Sequence, residues 1–370
     1  ILFNMINETN KICHLVINPN RYPQYVKILK KIVKKYSFFN VIESKDSDHF
    51  VECIDDYYYS HEPFLLIWGG DGTAHAAINH LTVLRFKHPE DTIKRSIGFL
   101  RGGSGNGIQD SYEVPFSIFK QLHTYINSMK NNYSIDVDLI KVNYDGKTEY
   151  TQLAGVGFDA HILEIRDKDR YKTGRLKGII KPGLWNYLTA VGKAVFERNI
   201  DKVGDVYDLE LYFGKYLFQG TRVNAEIKFD HLEKSCIPLI IEIGNRPYFA
   251  ALFKICPHVV CNNGSMNIYV YHKMSRGTMI RNLWYFWNGL HNKINDRFAN
   301  KNKPIIENFE VKSSQISSKK PFFFHLDGDL KQVANEVNGV YNLKFPILPE
   351  SITFLVPEGF YNKFHPFGLK

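Results

Sequence analysis

Phe64-Leu65-Leu66-Ile67-Trp68-Gly69-Gly70-Asp71-Gly72-Thr73 decides how this chain is read. The apolar run Phe64–Ile67 has the length and composition of a buried strand, and Ala74–Leu84 beyond the glycines reads as a helix. A buried strand that ends in a glycine turn and enters a helix is suited to holding phosphate. Glycines admit positive φ and let backbone N–H groups approach an anion with no Cβ in the way. The helix start adds unpaired N–H groups and the positive end of its dipole. Thr73 adds a hydroxyl. Asp71 is the odd member, because an anion does not bind an anion. Its carboxylate makes sense if it holds Mg²⁺ or accepts a proton from an attacking hydroxyl. The plain alternative is a helix cap in a tight turn.

A second cluster of the same kind follows. Ser96-Ile97-Gly98-Phe99-Leu100 reads as another buried strand and runs into Arg101-Gly102-Gly103-Ser104-Gly105-Asn106-Gly107. Two strand ends that dissolve into glycine turns suggest one crevice at the carboxyl edge of a parallel sheet, where open α/β sheets bind ligands. No Gly-Lys-Ser/Thr follows either turn, and neither has Gly-x-Gly-x-x-Gly spacing, so the Walker and dinucleotide motifs are excluded.

The organisation changes near residue 143. Before it, strands (Cys13–Asn18, Asn40–Glu43 and the two above) alternate with helical stretches (Gln24–Lys35, His49–Tyr58, Phe116–Met129). That alternation predicts an α/β domain with a parallel sheet and right-handed crossovers. Beyond it, short β-rich segments from Thr151–Gly157 to Tyr341–Phe345 suit an antiparallel sandwich, with 299–304 and 312–320 read as loops. Met279–Ile294 has helical period, and Ile280, Leu283, Trp287, Leu290 and Ile294 form a stripe expected to pack on the domain core.

The chain has 370 residues, more than one compact core usually holds, with 44% hydrophobic and 23% charged residues. The five cysteines are scattered, and reduced thiols are expected. Zinc at Cys256 and Cys261 lacks a second ligand pair. No apolar run reaches membrane-spanning length, and no signal-peptide core is seen, so a cytoplasmic location is expected. The net charge of +9 has no accompanying base-reading motif, which argues against nucleic acid and for an anionic membrane surface. Arg166, Lys168, Arg170, Lys172, Arg175, Lys177 and Lys181, with Leu176, Ile179 and Ile180 among them, are either a membrane-docking segment or a solvated loop.

The pair Gly69-Gly70-Asp71-Gly72-Thr73 and Gly103-Ser104-Gly105-Asn106 resembles the diacylglycerol kinase catalytic-domain superfamily, which includes bacterial diacylglycerol kinases, YegS-like lipid kinases and sphingosine kinases. The resemblance continues through Ala154-Gly155-Val156-Gly157-Phe158-Asp159-Ala160, through Phe253-Lys254-Ile255-Cys256-Pro257 with Asn262–Asn267, and to Leu326-Asp327-Gly328-Asp329. It implies a nucleotide-binding α/β domain over 11–142 with a C-terminal return over 350–365, and a β-rich lipid-substrate domain over 143–349. It implies ATP and Mg²⁺ as cofactors and phosphorylation of a hydroxyl on a membrane lipid, diacylglycerol or a sphingoid base, by a peripherally membrane-associated enzyme. A homodimer is compatible with it. By position, Asp71 and Asp329 become the catalytic carboxylates, with Asp71 also a candidate Mg²⁺ ligand. Asn18, Gly69, Gly70, Gly72, Thr73, Gly103, Ser104, Gly105 and Asn106 become the nucleotide contacts.

Departures from the family pattern set the alternatives. Asp329 stands for a glutamate and is shorter by roughly 1.5 Å. Asn263 and Asn267 stand for metal-linked aspartates, and an uncharged amide binds Mg²⁺ more weakly, so a structural metal at Asn263 is doubtful. His75, Ala76 and Gly107 also differ, and Asn18-Pro19 lacks the Ser-Gly that usually follows. One alternative is a nucleotide-binding regulator with impaired catalysis. Another is an NAD-kinase-type enzyme, against which the Gly-Ser-Gly-Asn turn and long β-rich half argue.

Overall fold

The computed structural model describes residues 11–19, 22–103, 105–172, 189–194, 209–213, 216–219, 226–229, 232–236, 238–249, 253–298 and 304–364. The chain forms two compact units, Ile1–Val137 with Glu350–Lys370, and Asp138–Pro349.

The first unit is α/β. Strands β1 (Cys13–Ile17), β2 (Phe39–Glu43), β3 (Phe64–Gly69) and β4 (Ser96–Arg101) alternate with helices α1 (Pro23–Val33), α2 (Ser47–Ser60) and α3 (Asp71–Lys87). Two further helices follow, α4 (Gly107–Ser111) and α5 (Ile118–Asn131). All strand pairs are parallel: β1 lies between β2 and β3, and β3 pairs β4 from Phe64↔Ser96 to Gly69↔Arg101. Every residue of β1 and β3 is buried, as expected for parallel strands covered on both faces. Helix α1 turns Val26, Leu29, Ile32 and Val33 inward, and Asp46 caps α2 by accepting the His49 N–H at 2.8 Å. Helix α3 starts at Asp71, earlier than the apolar pattern suggested, because Asp71-Gly72-Thr73 itself forms the first turn. The N-termini of α3 and α4 therefore both stand at the carboxyl edge of the sheet.

The second unit is a β-sandwich with helices on one outer face. Its elements begin with β5 (Ser134–Tyr144), whose residues up to Val137 belong to the first unit, then β6 (Lys147–Thr151), β7 (Leu153–Gly157) and α6 (Phe158–Lys172). Then come β8 (Leu209–Phe213), β9 (Tyr216–Gln219), β10 (Glu226–Phe229), β11 (Leu232–Cys236), β12 (Pro238–Gly244) and β13 (Met266–His272). Helices α7 (Arg276–Trp287) and α8 (His291–Arg297) precede β14 (Ile306–Val311), β15 (Ser313–Ser318), β16 (Phe322–Leu326) and β17 (Asp329–Val333). One antiparallel sheet runs β10-β9-β14-β13-β12-β7-β16-β17. Against it, β11-β8-β15 continue antiparallel into the first half of β18 (Tyr341–Leu355). The end of β18 belongs to the first unit, where Phe354 pairs in parallel with Ile97, and α9 (Glu358–Phe364) closes the return.

Period-two alternation sorts the side chains of this unit. Met266, Ile268 and Val270 of β13 join Ile241, Phe324 and Phe345 in the sandwich core. Tyr269 and Tyr271 point the other way, into a cluster with Phe158, Ile162 and Ile294.

Three sequence expectations change. The serine-rich stretch 312–320 contains β15: every second residue of Ser313–Ser318 is buried, and the Ser317 hydroxyl donates to Asn342 of the paired strand at 2.7 Å. Met279–Ile294 is split into α7 and α8 by Gly289 at φ 67°. Its expected core stripe is core only at its end: Ile294 is buried, whereas Ile280 is 53% and Trp287 41% exposed. Of the basic stretch Arg166–Lys181, residues up to Lys172 lie in α6, and Arg175, Lys177 and Lys181 fall outside the described residues.

Candidate functional site

At the carboxyl edge of the first unit, the two glycine turns touch backbone to backbone. The Gly102 N–H donates to the Gly69 carbonyl at 2.9 Å. A Cβ on Gly103 would stand 2.2 Å from the Gly70 Cα, and one on Gly70 would stand 2.9 Å from the Gly103 Cα. Only glycine allows this approach. Asn106, at φ 60°, closes the second turn by accepting the Gly103 N–H at 3.0 Å and donating to the Gly103 carbonyl at 2.7 Å. Arg101 pairs with Asp110 at 2.6 Å, and Gln109 donates to the Leu100 carbonyl at 3.1 Å, so the end of β4 is tied to α4.

Asp71 is the first residue of α3 and half-buried. Its Oδ1 accepts the Ile108 N–H at 3.1 Å, and its Oδ2 occupies the space that a Cβ on Gly105 would enter, 2.3 Å away. The carboxylate is thus fixed between the two turns, at the positive end of a 17-residue helix. Asn18, just past β1, donates to the Thr73 hydroxyl at 3.3 Å. The structure brings together Asn18, Gly69, Gly70, Asp71, Thr73, Gly103, Gly105 and Asn106. Gly72 is exposed beside them, and Ser104 lies outside the described residues. His75 is buried against Asn79 within α3, which leaves it a packing role.

The second unit separates the two carboxylates of Leu326-Asp327-Gly328-Asp329. Asp327 at φ 48° and Gly328 at φ 92° form the tight turn between β16 and β17, with Leu326 paired to Asp329. Asp329 is exposed at the start of β17. Asp327 is buried, accepting the Thr151 hydroxyl at 2.7 Å and ion-paired to buried Arg246 at 3.0 Å. Asn263 is accounted for without a metal: its Oδ1 accepts the Ser265 N–H at 3.1 Å and its Nδ2 donates to Glu310 at 2.8 Å.

A charged cluster not anticipated from the sequence lies behind β7. Across the sheet, Glu242 of β12 and His325 of β16 both stand opposite Gly155. Asp159 reaches the same point from the first turn of α6. A Cβ at residue 155 would lie 1.9 Å from Asp159 Oδ2 and 2.4 Å from His325 Nε2, so the glycine makes the room. His325 Nε2 touches Asp159 Oδ2 at 2.6 Å and lies 3.7 Å from Glu242 Oε1. All three are at most 2% exposed, and none of their side-chain polar atoms makes an aligned hydrogen bond. Burial, helped by the Asp159 charge, raises the Glu242 carboxyl above its usual range. Burial alone would lower His325, but the Asp159 and Glu242 carboxylates outweigh it and raise the imidazole. The three donors lie within 4.8 Å of one another. Two ligands of one tetrahedral zinc stand about 3.3 Å apart given bonds near 2.0 Å. The tighter His325–Asp159 contact is that of an ion pair. Cys256, also buried, has its thiol pushed up by burial and the Glu242 charge, and Cys256 and Cys261 are both buried free cysteines.

Beside the cluster, a cavity of about 320 Å³ opens among Phe158, Leu239, Phe249, Tyr271, Met279 and Phe286. Among the described residues Asp159 is its one charged lining residue, and Phe249 stacks on His325 with ring centroids 4.7 Å apart. The volume is at the lower end for small-molecule sites.

A parallel sheet with two interlocked glycine turns and a helix-borne carboxylate, followed by a β-sandwich, defines an α/β unit joined to a second, β-rich unit. Residues 14–142 match the family model of the diacylglycerol kinase catalytic domain. Three solved structures from Bacillus anthracis strain Sterne share the fold. One, provisionally classed as a diacylglycerol kinase, is 15% identical with a TM-score of 0.58, covering 94% of this chain and 96% of that one. A second, described as a diacylglycerol kinase, is 14% identical with a TM-score of 0.54, covering 94% and 98%. The third, also provisionally classed, is 15% identical with a TM-score of 0.56, covering 94% and 98%. No curated protein matches the chain.

Proposed function

We propose that this protein is an ATP- and Mg²⁺-dependent lipid kinase that phosphorylates a hydroxyl of a membrane lipid. The observation that carries the acceptor class is the apolar cavity of the second unit, with Asp159 its single charged wall residue among those described. A long hydrocarbon with a small polar end is the ligand such a wall suits.

The residues of the first unit fit a nucleotide. The glycine turns form a cradle that any Cβ would fill, and the N-terminus of α3 points backbone donors at its edge. Asp71, Thr73 and Asn18 offer the hard oxygen atoms that Mg²⁺ prefers. When bound, Mg²⁺ neutralises charge on the transferring phosphoryl group. The glycine turns hold the phosphates, and Asp71 is the metal-holding or proton-accepting carboxylate. Transfer forms a bond from the lipid oxygen to the γ-phosphorus, breaks the bond to the β-phosphate oxygen, and releases the hydroxyl proton. Asp329, exposed and not held by a buried partner, is the second carboxylate offered for that proton.

A regulator that binds nucleotide without turnover is favoured by one observation: Asp327, the buried carboxylate of its motif, is already committed to Arg246 and Thr151. A radiolabelled-ATP screen against a total lipid extract, with Asp71→Asn as control, decides between the two. Label in a lipid band that vanishes with Asp71→Asn supports the kinase. ATP binding with no labelled lipid supports the regulator. Label in NAD alone would point to the NAD-kinase-type reading.

A further inference from the structure

Helix α7 presents the largest cluster of exposed apolar side chains among the described residues. Ile280, Leu283, Trp284 and Trp287 are 53%, 45%, 64% and 41% exposed. Their spacing of three, four and seven residues puts them on one stripe, covering roughly a third of the helix circumference. Solvent-facing stripes of this kind mark an interaction surface.

Charge and position identify the partner. From Ile243 to Asn295 the chain has no Asp or Glu and carries Arg246, Lys254, Lys273, Arg276, Arg281 and Lys293. Of these, Lys273, Arg281 and Lys293 are exposed on or beside α7 and α8. The solvent-exposed Ile280 and Leu283 also line the apolar cavity, together with Met279 and Phe286 of the same helix. The stripe therefore continues into the cavity wall without a polar break. Tryptophan with neighbouring cations is the combination that settles at a bilayer's headgroup level.

We propose that the exposed face of α7 docks on an anionic bilayer, so that a lipid's hydrocarbon passes from the membrane into the cavity beside Ile280 and Leu283. This rests on the lipid-kinase reading for the cavity's occupant, but the docking itself is read without turnover.

The test uses the full chain and two vesicle types, phosphatidylcholine alone and phosphatidylcholine with one-fifth phosphatidylserine. Trp284→Ser with Arg281→Gln changes the surface and leaves the cavity lining intact. Wild type should co-sediment with the anionic vesicles, more weakly at high salt. The double variant should partition at least tenfold less, and Trp284→Phe should keep most of the binding. Both proteins should melt alike and phosphorylate detergent-solubilised lipid equally. Unchanged vesicle binding in the double variant overturns the proposal. So does a concentration-dependent dimer, broken by the same variant, in a protein that ignores vesicles. Vesicle binding that depends on Trp284 with no lipid labelling in detergent counts against the kinase reading and leaves the docking face standing.

Discussion

Replacing Gly103 by Ala tests the interlocked turns most directly. The added Cβ would stand 2.2 Å from the Gly70 Cα, where carbon atoms in contact ordinarily keep about 3.5–4.0 Å. The obstructing atom is backbone, so no rotamer change relieves it, and the two turns must part by roughly 1.3–1.8 Å. Parting them strains the Asn106 side chain, which bonds Gly103 on both sides. It also pulls on Asp71, held to the second turn through the Ile108 N–H. Overpacking of this kind costs about 1–3 kcal/mol. For a unit of this size that lowers the melting temperature by roughly 2–12 °C. Displacing a positioned group by about 1 Å costs on the order of 10²-fold in rate. The expected variant is folded and less stable, and transfers phosphate from ATP to lipid about a hundredfold more slowly. Gly359→Ala is the control, since a Cβ there meets nothing within 4 Å. Calorimetry and a labelled-ATP lipid assay read the two effects. A Gly103→Ala protein with wild-type melting and turnover would refute both the contact and its role in holding phosphate.

Asp71→Asn keeps the shape and the acceptor for the Ile108 N–H but removes the charge; it should abolish lipid labelling while leaving melting within a few degrees, and near-normal turnover would remove Asp71 from the chemistry. Asp329→Ala should lower kcat far more than ATP affinity and Asp329→Glu should be tolerated; if both match wild type in steady-state kinetics, Asp329 is a surface turn residue. His291 is buried and neutral, its pKa lowered to about 3 by burial and then by the His258 charge. Its folded value lies below the unfolded value near 6.5, so the associated stability is full above pH 6.5 and is lost as pH falls toward 3. Unfolding midpoints should therefore drop between pH 7.5 and pH 5 in wild type and less in His291→Gln, with equal drops in both proteins counting against the assignment.

The glycine turns and the alternation of buried strands with helices were legible because they are local: each strand end, glycine and helix start lies within a few residues. The same holds for the Asp-Gly turn at Asp327. What was not legible depends on register. Glu242 sits in Leu239-Ile240-Ile241-Glu242-Ile243 and His325 in Phe322-Phe323-Phe324-His325-Leu326. A lone ionisable residue inside each apolar run was a usable signal. Only the pairing of both with Gly155 shows that they meet. The choice of Asp329 over Asp327 followed motif position, and burial separates the two. Helix α7 misled for a different reason. A heptad-like apolar stripe looks the same whether it is buried or exposed, and periodicity carries no information on which.

The cluster of Asp159, Glu242 and His325 bears on what the cavity selects. Buried ionisable groups cost several kcal/mol each before pairing. Here the cost is offset by the His325–Asp159 contact at 2.6 Å and by the raised Glu242 carboxyl, which favours the neutral acid. On the opposite face of the same strands, Ala154, Ile241 and Phe324 pack in a hydrophobic core with no ionisable member. An apolar filling behind β7 would be at least as stable. Polar groups placed at that cost in the wall of an apolar cavity are suited to contact the polar end of a ligand. In the lipid-kinase reading, that end is fixed by Asp159, which is braced by two rigid strands through His325 and Glu242. The hydrocarbon wall is supplied instead by side chains of α6 and α7 and by Phe249 and Phe253. Head-group choice and chain-length choice are then set by different elements, and a substitution in α7 alters the second without disturbing the first.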